Sequence, residues 1–198
     1  MKSVFVLLAA PLLLTGAAAT PAHVPAPLTE GTFRAWSEAA PAVTYDVEAV
    51  PRGAQARVEV EDTKTGTSVR LKLSGLIPGR VYGAHLHTKP CTDKPAEAGP
   101  HYQHRIDPAS DSTHSSVDPA YANPENEFWL DFTTDATGAA TATSVQNWHV
   151  DNARPPWSLV LHAEHTHTAP GQAGTAGARL ACMTRTAETA YVNRAGRG

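Results

Sequence analysis

Gly83-Ala84-His85-Leu86-His87-Thr88 is the stretch from which the rest of the chain can be read. It ends an alternating run that starts at Val81, and alternation over four to eight residues is the signal of a half-buried strand. Side chains at i and i+2 of a strand share a face, so His85 and His87 can offer two imidazoles to one metal ion. Two more histidines sit where they could complete a set. His101 follows Gly99-Pro100, and His162 ends the apolar run Leu159-Val160-Leu161. Four neutral imidazoles in a roughly tetragonal arrangement suit copper better than a hard cation.

Strand signals continue on both sides of this run. Residues 43–50, 56–61 and 68–73 alternate, with Thr65-Gly66 and Pro78-Gly79 as turns between segments. Residues 127–134, 139–145, 157–162 and 179–184 are further predicted strands, and no stretch carries a helical period of useful length. Residues 88–126 and 163–177 are long irregular loops, which in a compact domain are usually functional. Many short strands separated by turns predict an all-β sandwich or barrel. One domain is expected over residues 42–184, with residues 20–41 as a flexible arm and 185–198 as a polar tail.

The start of the chain has the pattern of a secretory signal. Met1-Lys2-Ser3 is short and positive, residues 4–14 are apolar, and Ala17-Ala18-Ala19 offers a cleavage site. Residues 1–19 are therefore expected to be removed after Ala19. The protein is expected to work in the periplasm or cell envelope, or to be secreted. The apolar run is too short to span a membrane. The 198 residues carry a formal net charge of −3, which gives no reason to expect nucleic acid as a partner. The only cysteines, Cys91 and Cys182, read in an exported protein as one disulfide.

Taken in order, the His-x-His strand, the Gly99-Pro100-His101 loop, the strand-ending His162 and the run Gly177-Ala178-Arg179-Leu180-Ala181-Cys182 resemble the copper/zinc superoxide dismutase family. The resemblance runs from about residue 42 to 183. It implies an immunoglobulin-like Greek-key sandwich with two long functional loops. It implies a copper site of His85, His87, His101 and His162 that alternates between Cu(II) and Cu(I), with superoxide as substrate. It makes His101 the imidazole that bridges copper to zinc in the family and takes a proton when it leaves Cu(I). It gives Arg179 the task of attracting the anion. It also places the Cys91–Cys182 bond where it would fix the loop beside that arginine.

The zinc half does not match. Anchoring on Asp135 and Gly138, the family's next zinc histidine falls at Glu125 and its aspartate at Phe128, which cannot bind metal. No histidine lies between His114 and His149. An improvised site from His101, His104, His114 and Asp118 or Asp131 would have spacings unlike the family's, so zinc is not expected. The 163–177 loop is shorter than the family's and lacks the aspartate that links copper and zinc ligands there.

A copper-only member is therefore expected. In such a chain another group must accept a hydrogen bond from the far nitrogen of His101. Glu127, Glu125 and Asp131 are the candidates, in that order, and Glu127 would share a strand face with Trp129 and Asp131. His165 and His167 are expected to be solvated loop residues. The alternative function is a non-catalytic copper-binding protein for storage or delivery. Arg179 favours catalysis, because a storage site needs no guide for an anion. The oligomeric state is left open by the sequence.

Overall fold

The computed structural model describes residues 28–185. Two antiparallel sheets pack face to face. One has the order β1-β3-β4-β7, from Leu28–Thr32, Gln55–Asp62, Thr67–Ser74 and Ala140–Val145. The other has the order β2-β9-β8-β5-β6, from Ala42–Thr44, Arg179–Thr184, Ser158–His162, Val81–His87 and Phe132–Thr133. After β4 the chain crosses to the second sheet for β5 and β6 and then returns to place β7 beside β4. This is the expected all-β Greek-key sandwich.

Alternation builds the core. In β4, Thr67, Val69, Leu71 and Leu73 are buried while Arg70, Lys72 and Ser74 are exposed. The inward residues meet Tyr82, Ala84, Leu86, Leu159, Leu161 and Met183 from the opposite sheet. Strands β8 and β5 are buried nearly throughout, because their outer face is covered by the loops that complete the site.

The structure corrects three expectations about the strands. Residues 28–32 form β1, paired with β3, and Phe33 is fully buried, so the stretch expected to be an arm contributes to the sandwich. Its Pro- and Ala-rich approach hid a five-residue strand with few apolar side chains. The strand expected at 43–50 ends at Thr44, because the Asp46 carboxylate accepts the backbone N–H groups of Glu48 and Ala49 and turns the chain. The strand expected at 127–134 is reduced to isolated bridges and β6. There the Asp131 carboxylate takes the Ala84 N–H that a backbone carbonyl would otherwise accept.

Residues 1–27 and 186–198, which hold the expected signal, the start of the expected arm and most of the expected tail, lie outside the described residues. Among the described residues, no helix is long and apolar enough to cross a membrane.

Cys91 and Cys182 form a disulfide across 91 positions, tying the loop after β5 to β9. In the chain-entropy model, a loop of that size is worth about 4–5 kcal/mol. Replacing both cysteines by serine is expected to lower the free energy of urea unfolding by about that amount. An unchanged unfolding midpoint would show that the bond constrains little.

Candidate metal centre

Three pieces of backbone deliver four imidazoles to one point. Strand β5 supplies His85 and His87 from one face. The segment following Gly99 runs back along β5, with His101 bridged to His87 and the Tyr102 N–H donating to Leu86. His162, at the end of β8, pairs with Gly83 of β5 and lies opposite Arg179 of β9 beside an irregularity in the ladder. One nitrogen from each of the four histidines lies within 4.8 Å of the others, and all four side chains are buried.

The hydrogen bonds of each ring show which nitrogen is left for a metal. His87 Nδ1–H donates to the Gly99 carbonyl at 2.9 Å, so its Nε2 carries the lone pair. That Nε2 lies 3.3 Å from Nε2 of His162. His101 Nδ1–H donates to Glu127 Oε2 at 2.8 Å, which leaves its Nε2 for the centre. The Nδ1 of His85 is buried with no hydrogen-bond partner among the described residues, and His162 turns its Nε2 to the centre. Metal–nitrogen bonds of about 2.0–2.1 Å put opposed ligands about 4 Å apart, so this set needs only a small contraction to close on an ion. Neutral nitrogen lone pairs crowded together without donors are what a metal would satisfy.

Burial is the main force keeping His85, His87 and His162 neutral. It holds His85 and His87 well below the ordinary imidazole value, reinforced by the neighbouring His101 and by Arg179. The same causes bring His162 down to about 3. Neutral imidazole is the ligating form.

Arg179 sits beside this group and is held by backbone carbonyls. Its guanidinium donates to Pro95 and Ala96 of the 3-10 turn Pro95–Ala98 and, at 2.8 Å, to Gly99. The Gly99 carbonyl thus serves both Arg179 and His87. Glycine is required at 99, since its φ is +75° and an added Cβ would lie 2.6 Å from Thr88 Oγ1.

Of the three carboxylates considered for His101, the structure brings one to it. Glu127 is buried and collects three donors: His101 Nδ1 and Trp129 Nε1 on Oε2, and Gln103 Nε2 on Oε1, each at 2.8 Å. Glu125 is exposed instead, because Asn126 and Glu127 both donate their backbone N–H to Asn123 and the chain turns before the bridge begins. Asp131 faces the other side of the site, accepting from Thr166 and from His165 Nδ1.

The residues of the improvised zinc site are not gathered. His104 stacks on Trp148 with ring centroids 4.7 Å apart. His114 is exposed and pairs with Asp111, while Asp118 is exposed and accepts the Ala120 N–H. His165 and His167 are both exposed at the edge of the 163–177 loop, on Asp131 and Glu164 respectively.

Three contributors escaped sequence reading. Gln103 was legible in principle, two positions beyond His101 on the segment that bridges to Glu127. Trp129 was placed on the right face without its hydrogen bond. Thr166 had no signal beyond its position between two histidines.

Residues 54–184 match the family model described as copper/zinc superoxide dismutase (SODC). Among solved structures, Cu/Zn superoxide dismutase from Brucella abortus is 20% identical, with a TM-score of 0.47, covering 79% of this chain and 96% of that one. A double mutant of a SOD-like protein from Bacillus subtilis is 17% identical, with a TM-score of 0.47, covering 65% of this chain and 87% of that one. None of the curated proteins matches the chain. With the family model matching residues 54–184, which hold seven of the nine described strands and the four converging histidines, the chain belongs to the copper/zinc superoxide dismutase family.

Proposed function

We propose that this protein disproportionates superoxide to O₂ and hydrogen peroxide at a copper ion held by His85, His87, His101 and His162, and that it does so without zinc. The reading is carried chiefly by the bond between His101 Nδ1 and Glu127. In the family that nitrogen turns toward zinc, whereas here a buried carboxylate occupies it. Bound copper would supply the one-electron chemistry, accepting an electron from one superoxide and giving it to another. The second superoxide takes up two protons to leave as peroxide.

The chain's own residues supply the rest. Glu127 holds His101 in the tautomer that presents Nε2, and Gln103 and Trp129 hold Glu127. Arg179 places a guanidinium close enough to depress the pKa of His85, His87 and His162, the position from which an anion would be drawn in. The Cys91–Cys182 bond and the signal-like start of the chain support work outside the cytoplasm.

Pulse radiolysis of the protein carrying one copper per chain and no zinc tests the reading. Superoxide decay is expected to accelerate, to slow as salt screens Arg179, and to be indifferent to added zinc. Tightly bound copper without acceleration would replace this reading with copper storage or delivery. Activity that appears only with zinc would overturn the copper-only part.

A further inference from the structure

Thr166 lies buried between two exposed histidines, and its hydroxyl makes the hydrogen bond that His85 has at Nε2, at 2.8 Å. We propose that Thr166 is a positioning residue that selects the nitrogen His85 presents to the metal and couples the 163–177 loop to the site. The inference rests on the copper reading above and extends it to a residue outside the ligand set.

The direction of the hydrogen bonds carries the argument. The Thr166 hydroxyl donates to Asp131 Oδ1 at 2.8 Å. A carboxylate only accepts, so the hydroxyl proton is committed there and the oxygen faces His85 with a lone pair. Nε2 of His85 must then carry the ring proton, which leaves Nδ1 bare. Nδ1 is also the His85 nitrogen that is buried with no hydrogen-bond partner among the described residues. The two observations are independent and name the same ligand atom.

Asp131 does not do this directly, since it stands 3.8 Å from His85 Nε2. Its carboxylate is fixed instead by the N–H groups of Ala84 and Thr166 and by His165 Nδ1. The ligand strand, the segment at Asp131 and the loop therefore meet at one hydroxyl. Gly83 makes the approach possible, because a Cβ there would lie 2.5 Å from the Glu164 carbonyl and 2.7 Å from Ala176.

The test compares Thr166→Val, which keeps the shape and removes the hydroxyl, with Thr166→Ser, which keeps it. Copper(II) affinity is measured against a competing chelator, together with the electron paramagnetic resonance spectrum and amide exchange over residues 163–168. Thr166→Val is expected to weaken copper at least about 10-fold and to change the hyperfine pattern. Thr166→Ser is expected to match the unsubstituted protein. Copper should slow amide exchange in the loop of the unsubstituted and Ser proteins, and less so in the Val protein. If Thr166→Val folds poorly, Thr166→Ala is expected to show the same loss of affinity. Unchanged affinity and spectrum in Thr166→Val or Thr166→Ala would overturn the inference alone. An unsubstituted protein lacking nitrogen hyperfine structure on copper would overturn the four-histidine reading itself, and this inference with it.

Discussion

Glu127→Gln is expected to weaken copper binding by about 10–100-fold, and Glu127→Leu to weaken it further while destabilising the fold by several kcal/mol. The first effect follows from counting donors. In the native site both carboxylate oxygens accept, Oε2 from His101 and Trp129 and Oε1 from Gln103. An amide has one accepting oxygen and one donating nitrogen. If its oxygen serves His101 and Trp129, its NH₂ faces the NH₂ of Gln103. Gln103 cannot simply flip, because its Oε1 accepts the Asp107 N–H. His101 then keeps a neutral acceptor in place of a carboxylate and becomes a less basic ligand, which is the ordinary consequence of losing a charged outer partner.

Glu127→Leu has no acceptor at all. It leaves donors on His101, Gln103 and Trp129 without a partner in a site where Glu127 is 1% exposed, and each such buried donor costs about 1–3 kcal/mol. Chelator competition and urea unfolding read the two effects separately. Copper affinity that is unchanged in both variants would show that Glu127 has no part in holding His101.

The pairing of His85 with His87 was legible because it depends on a local rule, whereas His101 and His162 were reached through the family resemblance. The alternation of Val81–His87 puts His85 and His87 on one face whatever surrounds them. Glu127 was a candidate from the strand face it shares with Trp129 and Asp131, and the bridge between Gln103 and Glu127 is what brings it, rather than Asp131, to His101. Glu125 shares that parity and still failed, because an Asn123-centred turn breaks the strand period before it. β1 was missed because its partner is β3, and strand pairing is not written in the pairing strand alone. Thr166 was hidden for a different reason. In His165-Thr166-His167 attention falls on the imidazoles, yet the loop turns both outward and sends the hydroxyl inward. Loop side-chain direction follows no period, so no sequence rule could have ranked these residues.

The metal-free protein is expected to lose stability steeply as pH falls from about 6.5. The cause is the neutrality of the buried rings. Burial, aided by His101 and Arg179, holds His85 and His87 well below the ordinary imidazole value and brings His162 to about 3. In the unfolded chain the same rings titrate near 6.5. Above that pH neither state binds these protons, so the rings do not affect stability. Below it the unfolded chain takes up protons that the folded chain refuses, and stability falls with decreasing pH.

Each ring contributes a slope of at most about 1.4 kcal/mol per pH unit, so three together approach about 4 kcal/mol per unit. That is large against a typical domain stability of about 5–15 kcal/mol. The carboxylates with depressed pKa, Glu97, Asp111 and Asp135, are held down by hydrogen bonds from neighbouring residues. They act in the same direction, but only once the pH falls below the ordinary carboxylate range, which leaves pH 4.5–6.5 to the histidines. Copper competes with protons for the same nitrogens, so the loaded protein should keep its urea midpoint to lower pH than the metal-free one. Urea unfolding of both forms across pH 8 to 4.5 is the measurement. A metal-free midpoint that stays flat from pH 7 to 5 would mean that the three rings open to solvent without their metal, and that the closed, neutral pocket is built by the ion rather than waiting for it.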